Sequence, residues 1–211
     1  MRSAEMNAEP GEQVPPAGQS RQTRKREQRR DHVFRAAIEL FVDRGYDSTT
    51  MDDIAERADV ARATVFNHYP RKAAFLEEWT LRRRERAARV LAESVSGTAN
   101  AKEQLRTFFA ELVATNEESR AEAMALLLPG LRATNLIVDP ALGHALADVI
   151  GNSADAGKLR PGADPEHVGR LLAVGYFSVL YRWISHDPPS FDFWHEIEIL
   201  LDTVFDGALH S

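Results

Sequence analysis

The chain has 211 residues, of which 44% are hydrophobic, and a formal net charge of −6 at pH 7. This apolar content is enough for a sizeable core, and no apolar run reaches the roughly 18 residues of a membrane-spanning helix. No apolar signal segment is visible near the N-terminus, so a cytoplasmic protein is expected. The chain has no cysteine, which excludes disulfides, zinc ligation by thiolates and thiol redox sensing.

The charge is segregated along the chain. Residues 20–89 hold 17 Lys and Arg against 12 Asp and Glu, whereas residues 90–211 hold 8 against 17. A small basic domain joined to a larger acidic one accounts for both the length and the charge. Such a division favours local contact with phosphates and keeps the remainder of the protein away from a nucleic acid.

The N-terminal segment, residues 1–24, is rich in Glu, Gln, Pro, Gly and Ser and is predicted to be a disordered arm. It ends in a basic run. Either these cations are the solvated start of a helix, or those before residue 27 contact a phosphate or the minor groove. The basic run comprises Arg21, Arg24, Lys25, Arg26, Arg29 and Arg30.

The first helix is predicted by apolar residues at helical spacing and ends at Arg44 and Gly45, since glycine suits a left-handed C-terminal cap. A helix-turn-helix follows over residues 50–69. Thr50 caps its first helix with Asp53 in a variant capping box, and the second helix begins near Arg62. The core of this unit is predicted to contain Phe34, Ala37, Ile38, Phe41, Ile54, Ala55, Ala58, Val60 and Val65.

The motif resembles the DNA-binding domain of the TetR family of bacterial regulators over about residues 25–90. The matching positions are Thr49-Thr50, Asp53-Ile54-Ala55, Ala58, Val60, Thr64, Phe66, His68-Tyr69 and Lys72. Asp59 stands where the family usually has Gly, a mild change because Asp tolerates a left-handed turn. Ala61 stands where the family usually has Ser, which removes a side-chain cap worth roughly 0.5–2 kcal/mol.

The resemblance implies a DNA-binding domain at residues 25–88. Thr64 and Asn67 are expected to face bases, and His68 and Lys72 to contact phosphates. Thr50 is equally explained as a simple cap, and Phe66 and Tyr69 as side chains that pack on the first helix. The predicted DNA-binding residues are Thr49, Thr50, Arg62, Ala63, Thr64, Phe66, Asn67, His68, Tyr69 and Lys72.

A long helix is predicted from about Ala73 into Leu91 or beyond, with Arg82, Arg83, Arg84 and Arg86 mostly solvated. In the resembled family this helix links the DNA-binding domain to the effector domain. The rest, residues 89–211, is predicted to be the effector-binding and dimerisation domain. It shows helical spacing and no strand alternation, so an all-α fold is expected.

Breaks in that region are predicted at Pro129-Gly130, Asp139-Pro140, Gly157 to Pro165 and Asp187-Pro188-Pro189, which leaves about five helices. The last two, about 165–185 and 191–209, are apolar on more than one side. They are interpreted as a four-helix dimer interface, with a monomeric core as the alternative. The predicted interface residues are Leu172, Gly175, Val179, Trp183, Ile197, Leu201 and Val204.

A pocket for an apolar or aromatic effector is predicted between the linking helix and the helices that follow it. Ordinary core packing explains each single residue equally well. The predicted lining residues are Trp79, Phe108, Phe109, Leu112, Met124, Leu128 and Tyr176.

The alternative to a regulator is an enzyme with a metal site. An Asp lies three residues before a His at two places, Asp164 with His167 and Asp192 with His195, as in metal-binding helical bundles. Asp164 before Pro165 is more simply a helix cap, and no phosphate loop or nucleophile motif is present. No catalytic residue, metal or cofactor is therefore expected. The preferred interpretation is a homodimeric repressor that a small molecule releases from an inverted-repeat DNA operator, and an activator of the same fold is the second.

Overall fold

The computed structural model describes residues 21–94, 99–134, 141–153, 155–156, 159 and 162–206. All regular structure in these residues is α-helical, and the described part contains no strand, as expected. Their helices are α1 (Arg21–Arg44), α2 (Met51–Arg57), α3 (Arg62–His68), α4 (Ala73–Ser94), α5 (Ala101–Glu118), α6 (Arg120–Ala133), α7 (Ala141–Gly151), α8 (Pro165–Ile184) and α9 (Phe193–Phe205).

Helix α1 begins earlier than predicted. It starts at Arg21, so the arm proposed to be disordered up to residue 24 is wrong for its last four residues, and residues 1–20 lie outside the described part. The first three turns are exposed, and burial begins at Val33. Arg, Lys, Gln and Glu all have good helix propensity, which permits a helix here without a core. The helix ends as predicted, with Gly45 at φ 86°.

Helix α4 is one continuous element of 22 residues that runs through the boundary proposed at residues 88 and 89. It packs on α1 at one end and on α5 and α6 along its length. Phe75, Leu76, Trp79 and Ala87 form its buried face. The two predicted domains therefore share a helix, and their apolar residues join in one continuous core.

The C-terminal part contains the five helices that were predicted, α5 to α9, but one break was misplaced. Pro129 and Gly130 lie inside α6, and the chain instead breaks at Ser119, between α5 and α6. Burial of Leu126, Leu127 and Gly130 on both sides of the proline holds this helix in place, so packing overrides the local preference. The predicted break at Pro140 and part of that at residues 157–165 lie outside the described residues.

Candidate nucleic-acid interface and effector cavity

The helix-turn-helix is fixed by local hydrogen bonds. Thr50 Oγ1 accepts from the Asp53 backbone N–H at 3.1 Å, and the Asp53 carboxylate accepts from the Thr50 N–H at 2.7 Å. This confirms the predicted capping box. Asp59 has φ 48°, so it adopts the left-handed turn expected of it. Helix α3 begins at Arg62, and Ala61 supplies no side-chain cap.

Helix α3 turns a short polar face outward. Ala63 and Asn67 are exposed, and Thr64 and His68 are half-buried beside them. The guanidinium of Arg62 lies 5.4 Å from the centre of the Phe66 ring, and its Nε lies 3.0 Å from Asp52. This face has the size and chemistry to enter a major groove, since short polar and cationic groups read base edges there.

Two predicted DNA contacts are internal instead. Thr49 is 1% exposed and its hydroxyl donates to the Gly45 carbonyl at 2.9 Å, so it closes the turn after α1. Tyr69 is 1% exposed and stacks on Phe75 with ring centres 4.0 Å apart. Neither side chain is available to DNA, and the packing alternative is the correct one for Tyr69.

Lys72 also has internal partners. Its ammonium donates to the carbonyls of Tyr46, Asp47 and Thr49 at 2.7, 3.3 and 2.9 Å. It lies 4.3 Å from the centre of the Tyr46 ring. Lys72 therefore fixes the loop between α1 and α2, which presents Thr50 at the start of the motif.

His68 connects the outer face of α3 with the basic start of α1. Burial, followed by the charges of Arg26, Arg30 and Arg29, lowers the pKa of His68. The lowered pKa favours the neutral imidazole in the free protein. The residues from α1 extend the cationic surface beyond α3, in agreement with the positive charge of the N-terminal part.

A charged network joins α1 to α4 behind this surface. Glu78 is 9% exposed and accepts from Arg30 at 2.5 Å and from Arg82 at 2.9 Å. Arg82 also donates to Asp31 on α1 at 2.6 Å, and Arg30 donates to the Tyr69 hydroxyl at 3.3 Å. The network fixes α1 to the first half of α4.

A cavity opens directly beside this network. Its volume is about 30 Å³. An adjoining cleft of about 530 Å³ separates α1, α3 and α4 from Thr134 and Ala141, and Thr80 and Arg84 line both spaces. The cavity is lined by Trp79, Thr80, Arg83, Arg84, Leu112, Asn116, Leu142, Tyr176, Phe177 and Leu180.

The predicted pocket residues divide into three groups. Trp79, Leu112 and Tyr176 line the cavity. Phe108 and Phe109 are buried in the core and are not among its lining residues. Met124 and Leu128 are 43% and 41% exposed on α6, so their assignment to a pocket is wrong. They lie on the outer face of α6, whereas Leu126 and Leu127 point inward.

The polar lining was missed by the sequence analysis. Arg82 and Arg83 were expected to be solvated, but Arg82 belongs to the α1–α4 network, and the Arg83 side chain is 11% exposed. Arg83 binds Glu122 and Ser119 and lies 3.9 Å from the centre of the Trp79 ring. Burial lowers the pKa of Arg84. One signal was available, because Asn116 follows Leu112 by four residues on an otherwise apolar stripe.

Most residues predicted for the dimer interface lie inside the chain's own core. Leu172, Val179, Trp183, Ile197 and Leu201 are at most 7% exposed. A Cβ on Gly175 would lie 2.7 Å from Leu200 of α9, so this glycine permits close packing within the chain. The assignment of these six residues to a dimer interface is therefore wrong. Val204, the seventh predicted residue, is half-buried. The large apolar side chains that α8 and α9 expose are Leu171, Val174, Tyr181 and Ile199.

The two Asp and His pairs are organised around helix starts. Asp164 accepts from the Glu166 N–H at 3.1 Å with Pro165 at the first helical position, and Asp192 accepts from the His195 N–H at 2.7 Å. Among the described residues, no three His, Asp or Glu side chains are placed to hold a metal ion. None of the described helices has both the length and the apolar character of a bilayer span.

Comparison with known proteins agrees with this architecture. Residues 33–79 match the family described as bacterial regulatory proteins, tetR family. The activator FasR of Mycolicibacterium smegmatis, of the helix-turn-helix type, is 27% identical over 190 residues, which are 85% of this chain and 83% of FasR.

Two solved structures extend the match to the whole fold. FadR of Thermus thermophilus, a TetR-family repressor in complex with lauroyl-CoA, is 31% identical with a TM-score of 0.66. The match covers 86% of this chain and 96% of that one. FadR of Bacillus subtilis, in complex with stearoyl-CoA, shares the fold at 20% identity and a TM-score of 0.63, over 85% and 99% of the two chains. The exposed face of α3 and the match over 86% of the chain lead to one conclusion: the protein belongs to the TetR family of DNA-binding transcriptional regulators.

Proposed function

We propose that the protein is a homodimeric repressor that binds an inverted-repeat operator and leaves it when a small molecule enters the cavity on α4. The observation that carries this proposal is the order of residues on α4. Glu78 holds Arg30 of the DNA-binding domain, and the next two residues, Trp79 and Thr80, line the cavity. A DNA-binding regulator acts beside the chromosome, so we place the protein in the cytoplasm, and we propose no catalytic role.

Entry of a ligand must move α4 or its neighbours, because about 30 Å³ of space cannot hold an organic molecule. Trp79, Arg83 and Arg84 lie within six residues on one helix, and their displacement bears directly on the Glu78 network. A ligand shifts an equilibrium only to the extent that it binds two states unequally. In the state in which α4 is displaced, the larger cavity would bind the ligand more tightly than the closed cavity does.

We propose that a second copy of the chain packs on the exposed apolar side chains of α8 and α9. Leu171, Val174, Tyr181 and Ile199 are between 39% and 50% exposed. Leu171, Val174 and Tyr181 are spaced by three and seven residues, which places them on one face of α8. A short recognition helix such as α3 contacts few base pairs. Two copies of the chain, with their α3 helices in successive major grooves, are therefore needed for useful affinity.

The effector class is suggested by the cavity wall and by the Thermus relative. Leu112, Leu142, Phe177 and Leu180 supply an apolar wall, and the relative binds lauroyl-CoA. Arg84 lines both the cavity and the cleft, so it is suited to an anionic group outside the cavity. We propose an effector with an apolar body and take acyl-CoA esters as the first compounds to test.

The experiment begins with selection of DNA sites from a random pool by the purified protein. Fluorescence anisotropy on the selected site then measures operator affinity with acyl-CoA esters and other hydrophobic compounds. An effector should release the DNA and change the tryptophan fluorescence, and the fluorescence change should be lost in Trp79→Phe. If no compound lowers operator affinity, the release mechanism is contradicted. If Trp79→Phe responds like the parent, the binding site lies elsewhere.

Activation is the second candidate function, favoured by the similarity to the activator FasR. The DNA-binding face alone is compatible with both activities. Transcription in vitro from a promoter that carries the selected site separates them. Less transcript on addition of the protein supports repression, and more transcript supports activation.

A further inference from the structure

We infer that the effector carries a hydroxyl group that binds to Asn116, Tyr176 and Arg83 in the wall of the cavity. This inference rests on the proposed function, because it takes the cavity to be the effector site. It narrows the proposed effectors, acyl-CoA esters included, to those whose apolar body carries an alcohol or phenol hydroxyl.

The first observation is an unpaired acceptor on Asn116. This side chain is 0% exposed, and its Nδ2 donates to the Leu112 carbonyl at 2.6 Å and to the Tyr176 hydroxyl at 2.8 Å. Its Oδ1 is buried without a hydrogen-bond partner. If the amide were rotated by 180°, Asn116 Oδ1 would lie 2.6 Å from the Leu112 carbonyl oxygen, and two acceptors repel each other at that distance. The amide therefore keeps its orientation, and Asn116 Oδ1 stays unpaired.

Two donors without acceptors line the same cavity. The Tyr176 hydroxyl already accepts from Asn116, and no acceptor for its hydrogen is found among the described residues. Burial raises the pKa of Tyr176, so the phenol remains a donor at physiological pH. Arg83 uses its Nη2 on Ser119 and Glu122, whereas its Nε is buried without a partner. Buried polar groups are rarely left unpaired without a functional reason.

A hydroxyl group complements this set. Its hydrogen satisfies Asn116 Oδ1, and its two lone pairs accept from Tyr176 and Arg83. A carboxylate has no hydrogen for Asn116 and would place a second acceptor against it. A hydrocarbon would leave all three groups unpaired, as they are in the free protein. Leu112, Leu142 and Phe177 line the same cavity and would contact the apolar body of the ligand.

The test measures binding of two matched pairs by calorimetry with the full chain: 1-octanol against 1-fluorooctane, and 2-naphthol against 2-fluoronaphthalene. Fluorine has nearly the size of a hydroxyl but carries no hydrogen. At least one alcohol should bind roughly 10-fold or more tightly than its fluoride. Asn116→Leu should reduce this preference to less than about two-fold, and Tyr176→Phe should reduce it in part. Asn152→Leu, at an exposed position after α7, is the matched control and should retain it.

Three results overturn the inference. They are binding of none of the four compounds, equal binding of alcohol and fluoride by the parent protein, and a preference that survives in both Asn116→Leu and Tyr176→Phe. The comparison with the parent protein remains decisive if either variant fails to fold. Operator affinity is measured separately. An alcohol that binds with the expected preference but does not release DNA supports this inference and contradicts the proposed release mechanism.

Discussion

Glu78 on α4 accepts a hydrogen bond from Arg30 on α1, with 2.5 Å between Oε2 and Nη2. The Glu78 side chain is 10% exposed, whereas that of Arg30 is 46% exposed. The pair therefore joins a nearly buried carboxylate to a half-exposed cation beside the proposed DNA-binding face. Since Trp79 of the cavity follows Glu78 directly, this pair connects the cavity wall to α1.

Glu78→Gln should weaken that connection. The amide keeps only one acceptor oxygen and no charge for Arg30 and Arg82, so the free energy of unfolding should fall by about 1–3 kcal/mol. The difference in operator affinity with and without effector should also shrink. Urea unfolding and anisotropy measure the two effects. Glu77→Gln is the matched control, since Glu77 pairs with the exposed Arg71, and a similar loss in both variants would contradict the assignment.

Asn67→Ala should relax sequence preference at one position in each half-site. Asn67 is exposed on α3, and a side-chain amide that contacts a base edge is worth roughly 1–3 kcal/mol of discrimination. Binding to the selected operator and to single-base variants of it checks this expectation. Equal loss on operator and random DNA would show that Asn67 does not read a base.

Operator affinity should rise as the pH falls from about 8 to about 6. The pKa of His68 lies below its ordinary value in the free protein, chiefly because of burial. A phosphate beside the ring favours the imidazolium and raises this pKa, so binding takes up a proton. His68→Gln should flatten the dependence, and the same change at the exposed His195 should not. Unchanged pH dependence in His68→Gln would place the phosphate elsewhere.

Leu171→Arg should dissociate the proposed dimer. The side chain is 50% exposed on α8, so an arginine there does not disturb the core of one chain. Light scattering should give the mass of one chain, operator binding should collapse, and the helical content should be unchanged. Leu128→Arg, at an exposed position on α6, is the control. A variant that remains dimeric would place the interface on another face.

The helix-turn-helix was predictable because its determinants are local. Thr50, Asp53 and Asp59 act within a few residues of their own positions, and the structure confirms each of them. Tyr69 illustrates the limit of such reasoning. An aromatic residue at the end of α3 suits DNA contact or packing equally well, and the stacking partner Phe75 that decides between them lies on the next helix.

The cavity was less predictable because its wall combines residues from distant segments. Trp79 and Tyr176 were identified as apolar groups on helices expected to meet. Arg83 was expected in solvent, since the sequence does not reveal that Glu122, 39 residues away, pairs with it. The prediction of which face of α8 is exposed was wrong for a related reason. A helix that is apolar on several sides does not show which side α9 covers, so buried Leu172 and exposed Leu171 were not distinguished.

The continuity of α4 constrains how this protein can be re-engineered. The helix spans Ala73–Ser94 without interruption, so a chimera that exchanges effector domains near residue 88 must join two halves of one helix. Each inserted residue turns everything beyond it by 100° and advances it by 1.5 Å. One extra residue would rotate α5 to α9 away from α1, whereas seven would nearly restore the rotation but separate the halves by about 10 Å. Functional chimeras therefore require conservation of the number of residues in α4 as well as of the residues that form the Glu78 network and the cavity wall.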